Sequence, residues 1–98
     1  MILEVAILNV IRGQETAFEA AFRRAIPTLT GTSGYISHKL RRSIEHENRY
    51  ILLVQWQTLE DHTVGFRGSP RYQEWKALLH HFYDPFPTVE HYSAPLSS

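Results

Sequence analysis

The residues of this 98-residue chain that could do chemistry are one strand asparagine, several of its six histidines, and an arginine set among aromatics. Asn9 interrupts an apolar run. Its amide, buried unpaired, would cost roughly 1–3 kcal/mol, so it needs a partner, either backbone or a bound molecule. His62 stands near the start of a helix, where a neutral imidazole could take a proton or simply bond helix to strand. Arg67 lies between Phe66 and Gly68 and suits an anionic ligand or an ion pair with Glu60 or Glu74. His38 shares a strand face with Ile36 and Leu40, and His91 shares one with Val89. Each reads as a structural histidine or as a pocket group. Trp56, Phe66, Trp75 and Phe82 serve as core or as ligand walls. His80 and His81 are adjacent on a helix and point about 100° apart, so they cannot hold one metal ion together.

The stretch from Trp56 to Trp75 must position most of these groups. A strand ends at Trp56, and Thr58 reads as a helix N-cap with Asp61 three residues on as an imperfect capping box. Gly65 and Gly68 weaken that helix. Ser69-Pro70 then starts a second one, with a serine cap and proline at the first helical position. The inward side carries Leu59, His62, Phe66, Tyr72, Trp75, Leu78, Leu79 and Phe82. Either a bent helix packs flat on a sheet, or the break opens a pocket rimmed by His62, Phe66, Arg67 and Trp75.

The remaining elements follow from periodicity. Ile2 to Ile11 is a strand with Leu3, Val5, Ile7 and Asn9 on one face and Ile2, Glu4, Ala6, Leu8 and Val10 on the other. Gly13 to Ile26 is an amphipathic helix that Pro27 should end or kink. Tyr35 to Arg42 alternates, with Ile36, His38 and Leu40 together on one face. Arg49 to Trp56 carries Tyr50, Leu52, Val54 and Trp56 on one face and Ile51 and Leu53 on the other. The second helix reaches about Tyr83, and Thr88 to Ser93 forms a last strand. The order β-α-β-β-α-β predicts an α+β, ferredoxin-like domain over residues 1–93, with four antiparallel strands and a tail from Ala94 to Ser98. Two helices cover one sheet face. The other, apolar along strands one and three, predicts a homodimer closed sheet to sheet as an α/β barrel.

Composition narrows the function classes. Ten basic residues balance ten acidic ones, which argues against a nucleic-acid partner. Cysteine is absent, so disulfides, thiolate nucleophiles and zinc–thiolate sites are excluded, and a reducing, cytoplasmic setting is expected. No stretch has the length and apolarity of a membrane span. There is no glycine-rich phosphate loop, paired-carboxylate site or serine triad.

Gly34-Tyr35, Trp56, Leu59-Glu60-Asp61-His62, the segment Phe66 to Tyr72, and Val89-Glu90-His91-Tyr92 together resemble the antibiotic biosynthesis monooxygenase superfamily of dimeric α/β barrels. The resemblance implies oxidation of a phenolic, quinol or polyketide-like aromatic by O₂ without flavin, metal or other cofactor. His62 would be the proton acceptor and Asn9 the hydrogen-bond donor to the oxygenated anion. His38, Trp56, Phe66, Arg67, Trp75, Phe82 and His91 would contact substrate. It equally allows a non-catalytic, stress-associated dimer holding an aromatic or apolar ligand. A related branch degrades haem; Asn9 stands where its strand asparagine would, but its tryptophan and histidine do not transfer cleanly.

Overall fold

Alternation along β1 (Ile2–Asn9) decides the architecture. In the computed structural model, which describes residues 1–97, Glu4, Ala6 and Leu8 are buried, as is Val10 just beyond. The intervening Leu3, Val5, Ile7 and Asn9 turn to the opposite face, as the two-residue strand period requires. That alternation marks a strand buried on one side, and pairing along both edges makes β1 central. It pairs antiparallel with β3 (Arg49–Trp56) and with β4 (Val89–Tyr92). β2 (Tyr35–Arg42) completes the antiparallel order β2-β3-β1-β4. Helices α1 (Glu15–Thr30) and α2 (Pro70–Leu79) cover one face. The result is the expected α+β ferredoxin-like βαββαβ domain. No helix among the described residues is long and apolar enough to cross a membrane. The expected tail reaches Ser98, which lies outside the described residues.

Two expectations are corrected. Pro27 does not end α1, which continues to Thr30. Pro27 and Arg23 are exposed, so the Arg23 carbonyl that loses its usual N–H partner faces water. Thr28 and Leu29 are buried in the following turn, and the Thr28 hydroxyl donates to the Ala25 carbonyl at 2.7 Å. Packing of that turn outweighs the proline penalty of about 3 kcal/mol. In β2, a bulge between Tyr35 and Ser37 shifts the register. Tyr35, not Ile36, therefore shares the helix-side face with His38 and Leu40, and Ile36 is left exposed. An extra residue reverses the alternation on one side of a bulge.

The helix face holds a continuous core in which Phe18, Trp56, Leu29, Leu79 and Val54 are almost fully buried. Phe18 lies 4.9 Å from the Tyr50 ring and 5.8 Å from that of Phe82. The turn into β2 is tied to the start of the second helical region. Gly34 has φ +88°, its carbonyl accepts from Gln57 N–H at 2.8 Å, and a Cβ there would run into the Asp61 carboxylate. Gly34→Ala should therefore lower stability by about 1–3 kcal/mol for the left-handed backbone alone, and further for the displaced Asp61. Urea denaturation should show an earlier midpoint at unchanged slope; a variant as stable as the wild type would refute the constraint.

Candidate functional site

The site is assembled over the helix face of β1 by the turn that follows β3. The reciprocal capping box forms: Asp61 N–H donates to Thr58 Oγ1 and Thr58 N–H to Asp61 Oδ2, both at 3.1 Å. The helix it starts does not simply weaken at Gly65. It widens into a π-helical turn over Asp61–Phe66, closed by Arg67 N–H donating to the His62 carbonyl at 3.1 Å. π turns are rare and concentrate at functional sites. This one turns His62 and Phe66 inward, both buried, and leaves Val64 outside. Ser69 then caps α2 through Tyr72 N–H at 3.3 Å, with Pro70 first in the helix, as its sequence dictates.

His62 is held on three sides. Its ring stacks on Trp56 at 5.3 Å and 21°. Its Nδ1 lies 2.8 Å from His91 Nε2 on β4, and its Nε2 lies 3.4 Å from Glu4 Oε1 on β1. The same Glu4 oxygen accepts the Trp56 indole N–H at 3.0 Å. Burial raises the Glu4 pKa above its usual 4.5, only partly offset by the Trp56 hydrogen bond and the positive charge of Arg67. Burial also pushes His62 down to about 3, helped by Arg67 and His91. Each shift disfavours the charged form, and with His62 neutral above about pH 3 its contact with Glu4 is not an ion pair. His91 is lowered by burial and by Arg67.

Beside this cluster lies a cavity of about 360 Å³ between sheet and helices, at the small end of the roughly 300–1,000 Å³ usual for small-molecule sites. Glu4, His62 and Arg67 give it a polar wall, Phe66 and Trp75 an aromatic one, and Ala6, Leu8, Leu52 and Val89 the sheet floor. Tyr72, His80, Tyr83 and Phe86 line it as well. His62, Phe66, Arg67 and Trp75 therefore meet around one space, as the broken helix implies. Trp56 and His91 support His62 from behind.

Three other candidates lie elsewhere. Asn9 projects from the opposite face of the sheet, where its Oδ1 accepts from Arg49 Nε at 3.1 Å. An odd-numbered β1 residue cannot share a face with Glu4 and Ala6, so the joint Asn9–His62 site does not form in this cavity. His38 is hydrogen-bonded to the Tyr35 hydroxyl and packs near Phe22. Phe82 packs against Phe18 in the core. Sequence reasoning missed Glu4, Tyr72, His80 and Tyr83. The signal for Glu4 was available: a carboxylate in register with Ala6, Leu8 and Val10 must be buried, and a buried carboxyl needs partners. Tyr83 is placed by long-range bonds, Ile11 N–H to the Phe82 carbonyl at 2.9 Å and Asp84 N–H to the Asn9 carbonyl at 2.8 Å, which no local pattern announces.

Residues 1–78 match the family profile described as antibiotic biosynthesis monooxygenase. YczJ of Bacillus subtilis (strain 168), an uncharacterized protein, is 59% identical over 92 residues, covering 94% of this chain and 97% of its own. A crystal structure from Bordetella bronchiseptica, assigned to the antibiotic biosynthesis monooxygenases, superposes with a TM-score of 0.92 at 38% identity, covering 97% of each chain. SnoaB from Streptomyces nogalater, a cofactor-independent oxygenase, shares the fold with a TM-score of 0.74 at 21% identity, covering 98% of this chain and 94% of its own.

The buried pair gives stability a defined pH dependence. Folded His62 stays neutral down to about pH 3, whereas the unfolded imidazole protonates near 6.5. Its contribution is therefore present above pH 6.5 and is lost as pH falls through that window. His38, His80 and His91, also lowered, act in the same direction. Glu4, raised, acts oppositely: its contribution is present at low pH and is lost as pH rises through its folded value. His62→Gln should remove one proton's share, at most about 1.4 kcal/mol per pH unit, from the slope of unfolding free energy between pH 6 and 4. Urea denaturation across that range measures it; parallel curves for variant and wild type would refute the buried neutral imidazole.

Proposed function

The chain belongs to the antibiotic biosynthesis monooxygenase family, and we propose that it is a small oxygenase that uses O₂ without a cofactor on a phenolic, quinol or polyketide-like aromatic. The observation that carries this reading is the cavity wall. A simple apolar binder would have no need of Glu4, His62 and Arg67 together on one side of an aromatic-lined space, where Phe66 and Trp75 leave room instead of filling it. A phenol placed against that wall finds a proton acceptor in the Glu4 carboxylate, made more basic by burial and packed against His62, while Arg67 favours the resulting anion. The electron-rich anion itself reduces O₂. One oxygen atom enters the product as a carbonyl, the other leaves as water, and the substrate supplies all four electrons. Tyr83, near Glu4, and Tyr72 present hydroxyl groups that can donate to the oxygenated anion. Burial raises the Tyr83 pKa, reinforced by Glu4, so its proton is retained.

The proposal includes a homodimer through the open sheet face. Val5 pairs with Leu53 and Ile7 with Ile51 across β1 and β3, leaving an apolar centre flanked by Lys39 and Arg41 of β2 and Glu90 of β4. A second copy would cover that centre with its own.

Oxygen-electrode screening against dihydroxyaromatics, with quinone formation followed by absorbance, tests the activity. His62→Ala should lower turnover about 10²-fold or more, and Asn9→Ala, on the other sheet face, should leave it near wild type. Saturable binding of an aromatic without oxygen uptake would assign the protein as a ligand-holding dimer instead. Size-exclusion chromatography with light scattering should return a dimer at micromolar concentration, and Leu53→Asp should split it; a wild-type monomer would reject the assembly.

A further inference from the structure

We propose that His80 recognises a second oxygen substituent on the aromatic ligand, so that the cavity selects dihydroxyaromatics and their quinones over simple phenols. The inference rests on the proposed function for the ligand's aromatic class. It adds a specificity-determining residue that the proton transfer itself does not use.

Contacts between neighbouring lining residues run in a closed circuit. Glu4 lies 3.4 Å from His62, and the His62 and Phe66 rings are 6.3 Å apart. Phe66 lies 5.5 Å from Tyr72, Tyr72 5.8 Å from His80, and His80 6.0 Å from Tyr83. Tyr83 returns the circuit to Glu4, whose charge it senses. All six residues line the same space. Along the circuit, Tyr83 separates His80 from Glu4, and Phe66 and Tyr72 separate it from His62. A ligand that fills the space with one hydroxyl at Glu4 therefore presents a different part of its ring system to His80.

The backbone fixes where His80 stands. It opens a 3₁₀ turn, His80–Phe82, at the end of α2. Ile11 N–H donates to the Phe82 carbonyl at 2.9 Å and ties that turn to the chain leaving β1. The imidazole is held by Tyr72, Tyr83 and Phe86, the last edge to face at 5.0 Å. These three aromatic rings fix its position without giving its nitrogens a partner. Among the described residues, the histidine rings with side-chain hydrogen bonds are those of His38, His62 and His91. No buried side-chain nitrogen there is left unsatisfied. The nitrogens of half-buried His80 are thus accessible rather than sealed in the core.

A phenylalanine would pack against those rings as well. What the imidazole adds is one donor and one acceptor, on a ring that burial and Lys76 keep neutral. One nitrogen accepts from a ligand hydroxyl, and the other donates to a ligand carbonyl. The same side chain can therefore hold the second oxygen before and after a diol becomes a quinone. A ligand without that oxygen leaves the imidazole only water to bond.

Anaerobic isothermal titration calorimetry tests the assignment. The reference probe is α-naphthol, set against dihydroxynaphthalenes that carry the second hydroxyl on the same ring or on the other. At least one of these diols should bind the wild type about fivefold more tightly than α-naphthol, the size of effect a neutral hydrogen bond gives. His80→Phe, which keeps the ring contacts, should lose that preference while its affinity for α-naphthol stays unchanged. Equal binding of all probes to the wild type, binding of none, or a preference that persists in His80→Phe would overturn the proposal. If His80→Phe does not fold, nitrogen-15 NMR of the wild type decides: the preferred diol should move the His80 ring signals and α-naphthol should not, and signals unmoved by the diol would overturn it. A protein that shows the preference yet takes up no oxygen would fail the oxygenase reading and support the role of His80. An oxygenase indifferent to the second hydroxyl would do the reverse.

Discussion

A carboxyl group sits on the helix side of the central strand, and the surrounding structure is arranged to make that position tolerable. Moving an unpartnered carboxylate out of water costs several kcal/mol. Glu4 avoids most of this cost by accepting the Trp56 N–H, by lying against His62, and by favouring its neutral form. Each of those partners depends on others in turn. Trp56 ends β3 and lies fully buried. His62 is aimed by a π turn whose start is fixed by the Thr58–Asp61 cap and whose Asp61 is pressed against Gly34. The polar wall of the cavity and the stability of the fold at this end of the sheet are therefore the same set of contacts.

The sheet separates two tasks by parity. Even-numbered residues of β1 face the helices and bring Glu4, Ala6 and Leu8 to the cavity. Odd-numbered residues face away and present Leu3, Val5 and Ile7. A change on one side can alter ligand contacts without touching the proposed dimer surface, and the reverse. Asn9 shows how strict this division is: its amide belongs to the outer face with Arg49, whatever chemistry its residue type suggests.

The architecture was legible because β1, β3 and β4 keep clean alternation and because Ser69-Pro70 caps α2 as such a pair should. His62, Phe66, Arg67 and Trp75 were legible as one cluster because the break in the helix put them on one side. The bulge in β2 was not, since no residue near Tyr35-Ile36-Ser37 announces an extra position, and it exchanges Tyr35 for Ile36 on the helix face. The passage of α1 through Pro27 was decided by burial of Thr28 and Leu29, a tertiary effect outweighing local propensity. Glu4 was legible in register with Ala6 and Leu8, but its partners Trp56, His62 and Arg67 come from far along the chain, and no local pattern sets them beside it.

The π turn has a consequence for how this site can change over generations. Its closing bond, from Arg67 N–H back to the His62 carbonyl, spans one residue more than an α-helical turn would. Loss of a single codon between the two would let an ordinary α turn close the same gap. His62 before the turn and Arg67 after it would keep their directions, and β1, β3 and the cap at Thr58 would stay in place. The chain can thus gain or lose one residue here, on the side where Val64 is exposed, without moving the wall beside it.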